Sequence, residues 1–201
     1  GSHQYQPGLT LVGGGVFSKR DIVRPMSEVM PKRARWIRQA VVDVDATANT
    51  VTLDDGAKLA YDALVVAPGI RLAWDRIEGL ADSLGQNGVT SNYSVKYAPY
   101  TWQLVSRLTA GRAVFTQPPM PIKCAGAPQK AVYLSCYEWE QGGRLANIDV
   151  SFHNAGAALF GVADYVPALQ SYMDRYGVNL EFNQNLVAVD GPAHKAWFDA
   201  G

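Results

Sequence analysis

The sequence lacks the features that mark nucleic-acid-binding and membrane-spanning proteins. Its 201 residues contain 18 Lys plus Arg and 18 Asp plus Glu, so no excess of positive charge indicates a nucleic-acid partner. No apolar run approaches the roughly 20 residues that cross a bilayer, and no signal peptide opens the chain. A hydrophobic fraction of 48% with 18% charged residues is typical of folded proteins. We therefore expect a soluble globular chain that binds no nucleic acid.

Metal-binding and disulfide-rich patterns are also missing. The two cysteines, Cys124 and Cys136, are too few for a disulfide-stapled scaffold or a four-ligand zinc site. His153 and His194 have no neighbours at the spacing of metal ligands. We expect no metal site.

Residues 5–38 show no clean period and are interpreted as a loop followed by a helix, and residues 40–69 as antiparallel strands followed by one buried strand. Alternating apolar residues and the hairpin turn signal Asp54-Asp55-Gly56 predict a meander with strands at 40–44, 50–53 and 58–61. The run ALVVA at 63–67 is apolar throughout and ends at Pro68-Gly69, which is typical of a strand buried on both faces of a parallel sheet.

The second half alternates between strand and helix patterns. Residues 71–99 are rich in Gly, Asp, Asn and Ser and are typical of a connection between domains. Beyond it, the pattern predicts helices at 100–108, 128–140 and 163–176, strands at 112–116, 147–152 and 179–182, and a closing pair at 186–189 and 195–198.

This order predicts the α/β class, with a Rossmann-like parallel sheet, flanking helices and the antiparallel meander. We divide the chain into a first segment, 4–75, and a fuller βαβ domain, 76–201, that resembles NAD(P)-binding domains but lacks the glycine fingerprint.

Gly13-Gly14-Gly15 is a near miss to the dinucleotide fingerprint. The third glycine of that motif is replaced by Ser18, and no clear strand leads into the run. We interpret these glycines as sites of backbone bending.

The turn after the 112–116 strand is unsuited to a pyrophosphate. Residues 117–124 (QPPMPIKC) contain three prolines, which carry no amide donor, and no G-x-G. The next strand ends in His153-Asn154 instead of an acid for a ribose hydroxyl. NAD binding by this half is not expected.

Cys124 in that turn is the candidate catalytic residue. It precedes a helix that we expect to begin at Pro128, and the positive end of a helix together with Lys123 favours a thiolate. The alternative is that Cys124 is a small buried apolar residue. Cys136, on the packed side of the same helix, is expected to be structural.

Four stretches together resemble the sulfide:quinone oxidoreductase family of two-dinucleotide-domain flavoproteins. They are residues 5–13 (YQPGLTLVG), 61–69 (YDALVVAPG), 91–95 (SNYSV) and, most specifically, 121–130 (PIKCAGAPQK).

The resemblance implies a chemistry for these stretches. Ala67, Pro68 and Gly69 would lie along FAD, and Cys124 would act with a second, C-terminal cysteine beside the flavin. Sulfide would be oxidised to persulfide or polysulfide, and electrons would pass through FAD to a quinone at a membrane with which the parent protein associates peripherally.

The resemblance also implies that the chain is a central fragment, in which residues 4–75 are a partial FAD-binding segment. The N-terminal FAD fingerprint and the C-terminal cysteine of the family have no counterpart in these residues, so we expect no sulfide turnover by the chain alone. Uncovered apolar surface favours a homodimer. Two alternatives stay open at this point: an NADH:quinone oxidoreductase of similar architecture, and a non-catalytic domain that carries persulfide on Cys124.

Overall fold

The computed structural model describes residues 1–200, and helices and strands are numbered here along the chain. The strands are β1 (Ser2–Gln4), β2 (Val23–Pro25), β3 (Val41–Asp45), β4 (Thr50–Leu53), β5 (Lys58–Ala60), β6 (Gly111–Gln117), β7 (Ile148–Asn154), β8 (Asn179–Phe182), β9 (Gln184–Asp190) and β10 (Lys195–Ala200). The helices are α1 (Leu9–Gly13), α2 (Lys19–Ile22), α3 (Met26–Val29), α4 (Leu80–Ser83), α5 (Ala98–Arg107), α6 (Gly126–Gln141) and α7 (Val166–Tyr176). Within these residues, no helix has the length and apolar character needed to cross a membrane.

The chain folds into two compact units. The smaller contains Gly1 and residues 25–71, and the larger contains residues 2–24 and the chain from Leu72 onward. Each is described by itself. The predicted division into 4–75 and 76–201 was defined by relation to cofactor-binding domains and not by packing. It stays a prediction.

The smaller unit contains the predicted antiparallel meander, in the order β3-β4-β5. Val51 and Leu53 of the central strand are buried, as the alternation of apolar residues predicts. The turn between β4 and β5 follows the sequence signal: Gly56 has φ 86°, and the Asp55 carboxylate accepts a hydrogen bond from the Ala57 amide at 2.9 Å.

The prediction of a doubly buried strand at 63–67 is wrong for this structure. These residues form no strand, and Val65 and Val66 are 89% and 69% exposed. A strand is held by hydrogen bonds to neighbouring strands, and none of the sheets formed by the described residues includes this run. The apolar composition marks a segment suited to burial but does not supply its partners.

The larger unit is built on a parallel sheet in the order β6-β7-β8. Helix α6 connects the first pair of strands and α7 the second, which is the predicted βαβαβ order. With the meander, this sheet confirms the α/β class.

A hydrophobic core lies between the sheet and its helices. Fully buried side chains of α6 and β7 meet there, including Val132, Cys136 and Phe152. The indole of Trp139 is 1% exposed and donates a hydrogen bond to the Val105 carbonyl of α5 at 2.8 Å. The end of α7 is also as expected, because Gly177 caps that helix with φ 63°.

The N-terminal segment packs on α5 as well as on α6. Instead of the predicted loop and single helix, it forms short helical turns, and Leu9, Val12 and Ile22 form a second core cluster with Ala98 of α5. The predicted closing pair is the antiparallel hairpin β9–β10, whose Phe198 ring stacks on His153 of β7.

Candidate functional site

Cys124 lies in the turn between β6 and α6, two residues before the helix begins. Its side chain is exposed, so the alternative that it is a small buried residue is wrong for this structure. The residue has φ 63°, a left-handed conformation that is uncommon for residues other than glycine. Such conformations cluster at functional sites, where the surrounding structure holds them in place.

Helix α6 begins two residues after Cys124, earlier than we expected. Its first residue is Gly126, so Pro128 occupies the third helical position and not the first. Its missing amide still costs no helical hydrogen bond, because the first four amides of a helix have no internal partner. The capping residue Ala125 offers no side-chain acceptor, and the first turn contains no acidic residue. The positive end of the helix is therefore not neutralised by its own side chains.

Lys123 is held in place by two residues from distant parts of the sequence. Its ammonium donates a hydrogen bond to the Gln6 side-chain oxygen at 2.5 Å and lies 5.6 Å from the centre of the Tyr93 ring. Burial lowers the pKa of the Lys123 ammonium, and the charge of the Cys124 sulfur partly offsets that effect. Gln6 and Tyr93 thus hold the ammonium of the residue that directly precedes Cys124 in the sequence.

Tyr93 connects the same two residues. Its hydroxyl donates a hydrogen bond to the Cys124 carbonyl at 3.3 Å. Burial, together with the charge of Cys124, raises the pKa of the Tyr93 hydroxyl to about 12, so this hydroxyl stays protonated and remains a donor at neutral pH. Gln6 and Tyr93 were not predicted as site residues, although both lie in stretches that carry the family resemblance.

The glycine run at 13–15 packs closely against Asn92 and against helix α6. A Cβ on Gly13 would overlap the Asn92 side chain, and one on Gly14 would lie 2.8 Å from Leu134 of α6. Glycine is required here for close approach, so these glycines serve helix packing. Gly15 has φ 76°, which agrees with the expected backbone bend.

Side-chain amides form hydrogen bonds at the strand ends where related folds bind a pyrophosphate. The Gln117 amide donates to the Asn154 side-chain oxygen at 3.2 Å, and that oxygen also accepts the Gly156 amide at 2.8 Å. The Asn154 amide donates to the Ala158 carbonyl at 3.0 Å. These side chains join the ends of β6 and β7, and the buried side-chain oxygen of Gln117 is left without a hydrogen-bond partner.

The second cysteine has a different environment. Cys136 is fully buried in the core, and burial raises the pKa of its thiol to about 12. The expected structural role therefore agrees with its position. Among residues 1–200, no cluster of His, Cys, Asp and Glu is suited to hold a metal ion.

Ala67, Pro68 and Gly69 lie in the smaller unit, after the exposed 63–67 run. All three are exposed, and Gly69 has φ 83° with no atom within 4 Å of the position of a Cβ. Their backbone is open to a flat ligand, and their binding role stays a prediction.

Comparison with known proteins gives the following relatives. No protein-family model matches the sequence. The chain is 39% identical over 198 residues to the mitochondrial sulfide:quinone oxidoreductase of Dictyostelium discoideum, covering 98% of this chain and 44% of that protein. It is 35% identical over 197 residues to the mitochondrial enzyme of the same name from Mus musculus, again covering 98% and 44%. The chain thus spans less than half the length of these relatives.

A solved structure supports the same comparison at the level of the fold. The sulfide:quinone oxidoreductase of Aquifex aeolicus superposes with a TM-score of 0.74 at 21% identity, over 98% of this chain and 48% of that one. The chain therefore belongs to the sulfide:quinone oxidoreductase family, and the resemblance predicted from the sequence is confirmed along 98% of its length.

Proposed function

We propose that this chain is a central part of a FAD-dependent sulfide:quinone oxidoreductase in which Cys124 is the redox-active cysteine. The observation that carries the proposal is the exposed Cys124 in a left-handed conformation at the start of α6, inside a chain that is 39% identical to a protein of that name. An exposed thiol near an unneutralised helix end and a positioned ammonium is suited to form a nucleophilic thiolate.

Sulfur chemistry at Cys124 requires a partner cysteine from outside these residues. Cys136 is buried in the core and cannot supply it. We infer that hydrosulfide attacks a disulfide between Cys124 and that partner. The S–S bond of the disulfide breaks, a new S–S bond forms a persulfide on one cysteine, and the other cysteine leaves as a thiolate. The outer sulfur then passes to a nucleophilic acceptor, which leaves two cysteine thiolates. When these thiolates re-form the disulfide, the two electrons that they release would pass by way of bound FAD to quinone, the final acceptor.

FAD would bind along the open backbone of the smaller unit. Ala67, Pro68 and Gly69 would contact it through exposed main-chain groups, with space at Gly69 for a ring to approach the backbone. When bound, FAD supplies a two-electron acceptor that the side chains of this chain lack. The chain's own residues contribute the thiol, its electrostatic environment and the surface for contact.

The test uses the longer protein that we propose contains this chain. Sulfide is added to the protein with FAD and a soluble quinone, and quinone reduction is followed by absorbance. Replacement of Cys124 by Ser should abolish turnover, whereas Cys136→Ala should retain it because that thiol is sealed in the core. Sulfide-dependent quinone reduction that survives in Cys124→Ser would refute the role of Cys124.

The same assay separates the proposal from its alternatives. Reduction of quinone by NADH instead of sulfide would favour an NADH:quinone oxidoreductase. Stable persulfide on Cys124 without any quinone reduction, detected by mass, would favour a sulfur-carrying domain. We expect neither, and we expect the 201-residue chain by itself to be inactive with sulfide, FAD and quinone.

A further inference from the structure

We propose that Gln6 and Tyr93 are positioning residues that hold the ammonium of Lys123 as the fixed countercharge of the Cys124 sulfur. The proposal rests on the proposed function, in which Cys124 carries anionic sulfur, and extends it to residues that act through Lys123.

The first step is the immobilisation of a side chain that is normally mobile. A lysine has four rotatable bonds, and ordering it costs up to about 2 kcal/mol of conformational entropy. Here Gln6 accepts a hydrogen bond from the ammonium at 2.5 Å, while the Tyr93 ring faces it at 5.6 Å. Both contacts attract a cation, and together they restrict its position.

The second step is that Tyr93 contacts both members of the pair. Its ring faces Lys123, and its hydroxyl binds the Cys124 carbonyl at 3.3 Å. One aromatic side chain therefore contacts both the Lys123 ammonium and the Cys124 backbone. Since Tyr93 is held by burial as a neutral donor, it adds no negative charge that would repel a thiolate.

The third step concerns competing charges. The first turn of α6 has no acidic residue, and Gln6 is neutral. Lys123 is the sequence neighbour of Cys124, and Lys123 and Tyr93 both interact electrostatically with it. In this proposal Lys123 is the cation that matches a persulfide or thiolate at Cys124, and its contacts with Gln6 and Tyr93 fix its position.

The experiment measures the rate of Cys124 alkylation by iodoacetamide as a function of pH in the 201-residue chain, with the adduct located by mass. Lys123→Met should slow alkylation at pH 7 by about tenfold and shift the pH profile upward, because the thiolate loses its countercharge. Lys123→Arg should restore most of the rate. Lys96→Met is the matched control, since Lys96 also lies over a tyrosine ring, at 5.0 Å from Tyr97, and its replacement should leave the rate unchanged.

A double-mutant cycle identifies positioning. Gln6→Leu should slow alkylation by about threefold in the parent chain and have no effect in the Lys123→Met background, because it acts through Lys123. Tyr93→Phe keeps the ring, so Lys123→Met should still slow alkylation in that background. Tyr93→Leu removes the ring, and Lys123→Met should then lose its effect on the rate. Thermal unfolding of each variant identifies any loss of fold.

Several results would overturn the inference: an unchanged profile in Lys123→Met, an equal loss in Lys96→Met, or a Gln6→Leu effect of the same size in both backgrounds. These outcomes are independent of quinone reduction. If the alkylation cycle gives the expected result but the longer protein does not turn over sulfide, the proposed function is rejected and the positioning of Lys123 is kept. The converse result would reject the positioning of Lys123 alone.

Discussion

The hydroxyl of Tyr93 and the backbone amide of Ala127 share one acceptor, the carbonyl of Cys124, at 3.3 and 3.0 Å. The two hydrogen bonds come from opposite sides of the turn in sequence, one from 31 residues upstream and one from the first turn of α6. They hold an exposed, non-glycine residue at φ 63°. A left-handed conformation costs such a residue roughly 1–2 kcal/mol, so the turn is built around a strained position that presents a thiol.

Replacing Cys124 by glycine should therefore stabilise the chain relative to alanine at the same site. Glycine adopts positive φ without a steric penalty, and we expect Cys124→Gly to exceed Cys124→Ala by about 1 kcal/mol in free energy of unfolding. Urea denaturation measures the difference, provided that the free energy of unfolding depends on urea concentration with the same slope in both variants. Ala125, with φ −60°, provides the control: Ala125→Gly should bring no gain. Equal stability of Cys124→Gly and Cys124→Ala would contradict the strain.

Gly14 is expected to be intolerant of a side chain for steric reasons alone. Its φ of −93° is accessible to alanine, but a Cβ there would lie 2.8–2.9 Å from atoms of Leu134. We expect Gly14→Ala to cost about 1–3 kcal/mol, as overpacking does in other cores. Chemical denaturation measures this cost.

The steric origin is tested by a second substitution. Leu134→Ala should cost less in the Gly14→Ala background than alone, because it removes the clash. Gly126→Ala is the matched control, since no atom lies within 4 Å of its Cβ position and it lies in helix α6. Additive costs for Gly14→Ala and Leu134→Ala would count against helix packing as the reason for this glycine.

His153 should make the larger unit less stable in acid. Its Nδ1 is buried without a hydrogen-bond partner, its ring stacks on Phe198 at 4.0 Å, and burial lowers its pKa, with Glu181 partly offsetting the effect. The unfolded chain then binds a proton at higher pH than the folded one. Stability is complete above the ordinary histidine pKa of about 6.5 and falls as the pH drops through that value toward the folded pKa.

Thermal unfolding between pH 7.5 and 5 measures this dependence. His153→Phe keeps an aromatic ring over Phe198 and removes the titration, so its melting temperature should fall less with acid than that of the parent chain. His194→Gln, at an exposed position, should follow the parent chain. A parent and a His153→Phe variant with the same pH dependence would show that His153 does not carry the effect.

The sequence predicted the elements that depend on local pattern and missed the contacts that depend on tertiary structure. The helix and strand order from α5 to β8 follows from apolar periodicity and from Pro and Gly at helix ends, so it was predicted within a few residues. The run at 63–67 was misassigned because composition indicates burial but not the partner that provides it. Cys124 was predicted as a site residue from its position after a strand; the structure shows it exposed, and its role stays a prediction.

Its neighbours required the fold. Gln6 lies 117 residues from Lys123, and Tyr93 lies 31 residues from Cys124, so no spacing rule connects them. At the strand ends, the sequence likewise showed only that glycine and an acid are missing. The hydrogen bond between the side chains of Gln117 and Asn154 follows from the fold. Residues that position a reactive group are set by packing between segments, which a single sequence does not encode as a local pattern.

The two cysteines should differ sharply in reactivity, and this difference tests both assignments at once. Cys124 is exposed, whereas burial raises the pKa of the Cys136 thiol to about 12, which leaves roughly one thiolate in ten thousand at pH 8. Brief treatment of the folded chain with iodoacetamide at pH 8 should give one adduct, at Cys124, and treatment in denaturant should give two. Cys124→Ser should give none until the chain unfolds. Two adducts forming at similar rates in the folded chain would mean that Cys136 is accessible, and that the core around α6 opens far more readily than its packing indicates.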